Sequence, residues 1–418
     1  MQTAASILLL LFGGYASVRT RFVQFRCFGA SVRTAFSGGG RDGNVTAFEA
    51  MATSLAATIG TGNIAGVAGA ILLGGPGVLV WMWVTALFGM AAKYVEIVAG
   101  LRWGRGRGPM GYLCRVPGGA ALSVAYGALC ALSALTMGNL IQVRTVTECV
   151  SSLYQAVGGS LHVPGWLSPV CGGCIALAVA VSLLGGAKRV GRAAALLVPV
   201  MSVLYILGSL YVICRNASAL PEALAQVWRR AWTPEAFLVG TARGVFSHEA
   251  GLGTAAVARM SRREANPHRE GLNGIFEVFL DTVVLCTLTA LAILVSAVAL
   301  PYGNGDVNGA LVIDAFRGSL GDVPAAVFIT GSMLLFAFSS IMSFALYGEL
   351  CFGDLFPNRG RRIYRILFIL TVGAGASMGV SAAWRVAETV NVLLALVNMA
   401  GLMLLLTRQK GPAFQRSL

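Results

Sequence analysis

Charge is what this chain has least of. Asp, Glu, Lys and Arg make up 11% of its 418 residues, and the acids number only 17, whereas soluble domains carry about 25% charged residues. With 56% hydrophobic residues and a mean hydropathy of +0.76, that shortage excludes a soluble protein and gives an all-α polytopic membrane protein solvated by a lipid bilayer. Of the 3 histidines, only His248 falls near the interior of an apolar stretch. No His-Glu-x-x-His, no phosphate-binding lysine loop and no Ser/His/Asp set at one depth is present, so the chain is not expected to be an enzyme. A channel is expected to show a repeated filter or a ring of like charge, and neither is visible; a channel or facilitator for a small polar solute remains the rival reading. The 9 cysteines lie mostly in apolar segments, where packing is their ordinary role. Cys171-Gly172-Gly173-Cys174 has redox or metal spacing but no further ligand beside it. The net charge of +14 is spread over short loops with no basic domain, which argues against nucleic acid.

The apolar run 4–18 is followed by Arg19 and Arg21 and preceded by no basic residue, as in a retained first span rather than a cleaved leader. At about 20 residues per span, eleven helices are expected, at 3–18, 45–73, 78–101, 118–147, 165–186, 193–214, 235–258, 271–299, 323–349, 362–380 and 385–407. With Lys93, Arg144 and Arg243 inside spans, the loops of one side carry 23 Lys and Arg and those of the other carry 5. The positive side is cytoplasmic, which puts the N-terminus outside and the C-terminus inside. After the first span, the rest fall into two sets of five. Five is odd, so the sets cross the membrane in opposite senses, as inverted repeats require. The expected layout is an N-terminal helix and loop (1–43), a first five-helix repeat (44–214), an external loop (215–234), a second repeat (235–407) and a cytoplasmic tail (408–418).

Two apolar spans are interrupted, and each is the first of its set. Thr58-Ile59-Gly60-Thr61-Gly62-Asn63 breaks the second span, and Phe246-Ser247-His248-Glu249-Ala250-Gly251-Leu252-Gly253 breaks the seventh. A bilayer tolerates broken backbone only where protein buries it or where it lines a site, and paired breaks mark the binding site of secondary transporters. Freed amides favour a carboxylate and freed carbonyls a cation such as Na+. The plain alternative is that these glycines only pack helices. Glu249 is an acid at membrane depth, hence a functional candidate, or else half of an ion pair with His248 or Arg243 clamping the break. Asn139 and Gln142, one turn apart, serve either the bundle centre or interhelical bonding. Ser339 and Ser340 can offer oxygens to Na+, although serine often bonds its own helix. Asp281 is a gating or coupling candidate. Lys93 with Glu96 and Arg144 with Glu148 have the spacing of intrahelical pairs.

The runs Ala57-Thr58-Ile59-Gly60-Thr61-Gly62-Asn63-Ile64-Ala65-Gly66-Val67-Ala68, Gly74-Gly75-Pro76-Gly77, Lys93-Tyr94-Val95-Glu96, Gly138-Asn139-Leu140-Ile141-Gln142, Phe246 to Gly253 as above, and Tyr347-Gly348-Glu349 closely resemble the alanine or glycine:cation symporter family. The resemblance covers about residues 18 to 405. It implies a leucine-transporter-type 5+5 inverted repeat with one extra N-terminal helix. It also implies symport of a small neutral amino acid such as alanine or glycine with Na+ or H+, and no cofactor beyond the coupling ion. Carried over by position, Thr61, Gly62, Asn63, Gln142, Phe246, Gly251 and Phe344 would meet the substrate. The carbonyls of Ala56 and Ile59 and the hydroxyls of Ser339 and Ser340 would hold Na+, and His248, Glu249 and Asp281 would serve coupling or gating. The membrane implied is a bacterial-type inner membrane. The chain departs from the family pattern at His248 (usually Asn), Phe344 (usually Trp), the residues after Gln142, Glu388 (usually Asp) and Val397 (usually Pro). Those beside the implied pocket bear on the substrate rather than on the fold.

Overall fold

A computed structural model describes residues 2–37, 41–42, 45–158, 162–260, 262, 265–296, 298, 300, 302–303, 310–376 and 380–408. Arg263, Lys410 and Arg416 of the charge tally, and all of the tail beyond 408, lie outside the described residues. The main helices are α1 (Gln2–Arg19), α2 (Ala47–Thr58), α3 (Ala65–Gly74) and α4 (Val78–Trp103), then α5 (Gly119–Gly158). They continue as α6 (Leu167–Leu183), α7 (Gly186–Arg215), α8 (Pro234–His248) and α9 (Thr254–Ala258), α10 (Pro267–Val295), α11 (Asp322–Leu355), α12 (Gly360–Gly375) and α13 (Val380–Arg408). Six helices are individually long and apolar enough to cross a membrane, and the bent pair α2–α3 makes a seventh, while α1 and α6 are apolar but shorter.

Some boundaries differ from expectation for a physical reason. α5 runs on to Gly158 rather than stopping near 147, because its last turns are amphipathic and keep one face on the bundle. The loop expected at 215–234 contains a helix, Leu220–Arg229, anchored by buried Ala223 and Val227 four residues apart. The stretch before α11 likewise holds Ala310–Leu320, with Val312, Ile313, Ala315 and Phe316 buried.

Counterparts of the two five-helix sets pack on each other. α4 lies on α10, α5 on α11 and α6 on α12; of the broken spans, α3 lies on α8 and α2 on α9. That reciprocal pairing is what a pseudo-two-fold axis in the membrane plane produces. α1 stands apart from both sets and packs on α4 and α13. Lipid tails are as apolar as leucine, so helices associate through close packing rather than hydrophobic burial. α4 accordingly sits against glycines: a Cβ on Gly240 of α8 would stand 2.6 Å from the Val78 carbonyl, and one on Gly271 of α10 would stand 2.7 Å from the Tyr94 ring.

A charged network closes one end of this packing. Lys93 lies 3.3 Å from Glu277, Arg259 bridges Glu277 and Glu270, and Arg262 lies 3.1 Å from Glu270. Ser54 donates to Glu277 at 2.6 Å, which brings α2 into the same network. Arg259 and Arg262, counted as loop charges from the sequence, are therefore buried structural cations. Breaking a buried pair from one side leaves an uncompensated charge, at a cost of about 3–5 kcal/mol. Glu277→Ala is expected to lower the thermal midpoint of the purified protein by a corresponding amount, with Glu277→Gln intermediate. A midpoint unchanged in both variants would show that the network contributes nothing to stability.

Candidate ion and substrate site

α2 begins at a capping box, with Thr46 and Glu49 exchanging side-chain and backbone hydrogen bonds. It ends at Thr58, and the chain resumes as helix at an angle of 53°. Gly60 is extended, with φ −131° and ψ −163°, and its amide donates to Asn63 Oδ1 at 3.0 Å. The other end of that side chain donates to the Asp281 carboxylate at 2.7 Å and to its carbonyl at 3.2 Å. Thr61 N donates to Gln142 Oε1 at 3.0 Å. Ser340 Oγ lies 2.9 Å from the Ala56 carbonyl and 3.3 Å from that of Ile59. Two carbonyls at the end of α2, one hydroxyl from α11 and one amide oxygen from α5 thus converge along the six residues from Ala56 to Thr61.

The glycines of this break have distinct jobs. A Cβ on Gly60 would stand 2.7 Å from Ser340 Oγ and 3.1 Å from Gln142 Oε1, whereas one on Gly62 would meet nothing within 4 Å. The tight approach is therefore at Gly60, and Gly62 faces open space. Thr61 Oγ1 is buried and has no hydrogen-bond partner, so it presents a hydroxyl that a ligand can satisfy. α5 widens into π-type turns over Thr136–Ile141 just before Gln142, a distortion common at functional sites. The Phe344 ring seats where a Cβ on Gly138 would be.

The second break is satisfied differently. Glu249 takes a left-handed conformation, φ 54°, and its carboxylate accepts from Thr254 Oγ1 at 2.8 Å. Gly251 and Gly253 follow at φ 88° and 86°, values that favour glycine, which accounts for the Glu-Ala-Gly-Leu-Gly run. His248 Nδ1 accepts from Ala250 N at 3.1 Å, and the His248 ring fills the space a Cβ on Gly89 of α4 would need. From α4, Lys93 Nζ donates to the His248 carbonyl at 3.1 Å, and Glu96 Oε2 accepts from Gly251 N at 3.0 Å. The Gly251 carbonyl accepts from Asn398 at 2.8 Å.

Of the expected residues, Ala56, Ile59, Thr61, Gln142 and Ser340 come together, and Gly62 lies beside them. Ser339 does not join them: its hydroxyl donates to the Phe336 carbonyl of its own helix at 2.9 Å. Asn63 has both ends of its amide engaged within the protein. Gly251 has both backbone groups taken; His248 and Glu249 lie in the second break, where His248 Nε2 and Glu249 Oε1 are buried without a hydrogen-bond partner. Asn139 bonds the Phe368 carbonyl and Thr371 of α12, both at 2.9 Å. Asp281 joins the two breaks, since it also accepts from Ser247 at 2.8 Å and from Thr282 at 2.8 Å. Phe246 lies to one side, its ring 5.2 Å from that of Trp384. The Arg243 guanidinium sits over both rings, at 5.4 and 4.6 Å, and 3.8 Å from Glu388. Arg243, Phe246 and Glu388, with Ser6, Leu73 and Asn391, line a cavity of about 160 Å³. Lys93 and Glu96 are not the mutual pair their spacing invited, whereas Arg144 and Glu148 are paired at 3.6 Å.

A sequence profile described as the sodium:alanine symporter family matches residues 1–411. The sodium/alanine symporter AgcS of Methanococcus maripaludis is 36% identical over 96% of this chain and 91% of its own length. The amino-acid carrier protein AlsT of Bacillus subtilis is 33% identical over 95% of this chain and 86% of its own. The crystal structure of MhsT in complex with L-phenylalanine shares the fold at a TM-score of 0.66 and 16% identity, over 88% of this chain and 89% of that one. The chain belongs to the sodium:alanine symporter family, and it is a multi-pass transporter of leucine-transporter-type fold rather than an enzyme.

The two glycines of the first break should respond oppositely to a methyl group. Gly60→Ala forces Ser340 or Gln142 to shift and should cost about 1–3 kcal/mol, as overpacking does. Gly62→Ala should leave the thermal midpoint of the purified protein unchanged. Equal midpoints for the two variants would contradict the assignment of the close approach to Gly60.

Proposed function

We propose that the protein couples inward Na+ flow to uptake of a small neutral amino acid, alanine or glycine, across a bacterial-type inner membrane, with its N-terminus outside and its C-terminus in the cytoplasm. One observation carries the reading. The Ala56 and Ile59 carbonyls meet Ser340 Oγ at 2.9 and 3.3 Å, directly beside the Thr61 amide and its unpartnered hydroxyl. The carbonyls sit at the negative end of α2 and suit a cation; the Gly62 amide, leading into α3, and the unpartnered Thr61 hydroxyl suit a carboxylate. The name of the related AgcS supports both cargoes.

The surroundings restrict the substrate. Thr61, Gln142, Ser340 and Phe344 carry no formal charge, so an ionic substrate side chain would be buried without a partner, at a large cost. Room at Gly62 and the bulk of Phe344 on Gly138 suit a short side chain. The Arg243–Glu388 contact with Phe246 and Trp384 closes the site from outside, and the network from Lys93 to Arg262 closes it from inside. Alternating access loosens one closure while the other holds. Substrate and ion share the segment from Ala56 to Gly62 and each helps to order it, so each raises the affinity for the other.

In proteoliposomes, an inward Na+ gradient should drive accumulation of labelled alanine or glycine, and a proton gradient alone should not. Flux that merely equilibrates, whatever the gradient, would establish a facilitator instead. Ser340→Ala should raise the Na+ concentration needed for half-maximal uptake by about tenfold, equivalent to ~1.4 kcal/mol, while Ser339→Ala changes it little. Equal effects of the two substitutions would remove Ser340 from the ion site.

A further inference from the structure

The two breaks free the same kinds of backbone group but meet them with different partners. In the first, the carbonyls of Ala56 and Ile59 and the amides of Gly60 and Thr61 meet neutral side chains: Ser340, Asn63 and Gln142. In the second, the carbonyl that ends α8, that of His248, receives the Lys93 ammonium at 3.1 Å. The amide of Gly251, across the same break, receives the Glu96 carboxylate at 3.0 Å. Both side chains are fully buried, at 0% exposure, and stand one turn apart on α4. Their signs follow the backbone dipoles: cation on carbonyl, carboxylate on amide.

The breaks are also counterparts. α2 lies on α9 and α3 on α8, so the second break occupies in its repeat the place that the first occupies in the other. We propose that Lys93 and Glu96 are tethered replacements, in the second break, for the cation and the carboxylate that the first break takes from solution. This rests on the reading of the first break given above. Lys93 and Glu96 are then positioning residues that hold the α8–α9 bend in every state of the cycle. The first break is met only by neutral side chains, keeps the unpartnered Thr61 hydroxyl, and receives full charges only from its cargo. One broken span is thereby fixed by the protein and the other is set by ligand. Lys93 is itself held by Glu277, 3.3 Å away, which ties the built-in ion to the inner closure. The engagement of both Gly251 backbone groups within the protein follows from the same arrangement.

Chemical rescue tests this. In Glu96→Ala the Gly251 amide loses its carboxylate and gains space, so a free carboxylate should replace the missing one. Thermal midpoints of wild type, Glu96→Ala and Glu96→Gln are compared in potassium formate and in potassium chloride at equal ionic strength, without Na+ or amino acid. Glu96→Ala should melt lower than wild type in chloride and regain at least half of the loss in formate. Wild type and Glu96→Gln, whose side chains fill the space, should show no difference between the salts. A Glu96→Ala midpoint indifferent to formate overturns the proposal. Should Glu96→Ala yield no folded protein, Glu96→Gln decides: a midpoint equal to that of wild type overturns the proposal, and a lowered one supports it. Alanine binding by wild type, measured in Na+ on the same preparation, separates the two readings, since formate rescue without alanine binding overturns the functional reading alone.

Discussion

Backbone amides and carbonyls released at mid-membrane depth have no water to turn to, and each must be met from within the protein or by a ligand. Here the constraint acts twice. Gly60 and Thr61 find Asn63 and Gln142, and the carbonyls of Ala56 and Ile59 find one serine hydroxyl. Across the pseudo-two-fold axis, Lys93 and Glu96 supply full charges to the equivalent positions. The proposal that the first break carries cargo and the second acts as a fixed support rests on that difference.

Asp281 makes the two breaks parts of one device. Its carboxylate accepts from Asn63 in the first break and from Ser247 at the edge of the second, at 2.7 and 2.8 Å. It lies in the π-type turns Phe279–Cys286 of α10, just as Gln142 follows those of α5. A short, buried chain of hydrogen bonds thus links the first break to the second. The inner network continues that chain, since Glu277 lies one turn before Asp281 and holds Lys93, Arg259 and Ser54 together.

Much of this architecture was legible in the sequence. Long apolar runs, alternating loop charge and two glycine-polar interruptions gave the membrane class, the inverted repeat and the places of the two breaks. Family motifs then pointed to Ala56, Ile59, Thr61, Gln142 and Ser340, which the structure gathers. What the sequence hid was partnership. Lys93 and Glu96 have intrahelical spacing, and spacing alone does not distinguish a mutual pair from two residues that each reach across to a broken neighbour. Their position in mid-span, with signs matching a carbonyl end and a free amide, was the available signal. Arg259 and Arg262 read as loop charges because the sequence carries no record of burial. Gly60 and Gly62 both fit the motif, and only the crossing of α11 and α5 decides which lacks room. Ser339 and Ser340 are adjacent in sequence but point to different partners once the face of α11 is fixed.

The central claim is that ion and amino acid complete the same broken segment. Equilibrium binding of labelled alanine to the purified protein across a range of Na+ concentrations, together with Na+ binding across a range of alanine concentrations, tests it most directly. Linkage requires that each ligand raise the affinity for the other by one common factor, expected to be fivefold or more for coupling of about 1 kcal/mol or above. Alanine affinity that does not change with Na+ would contradict the account.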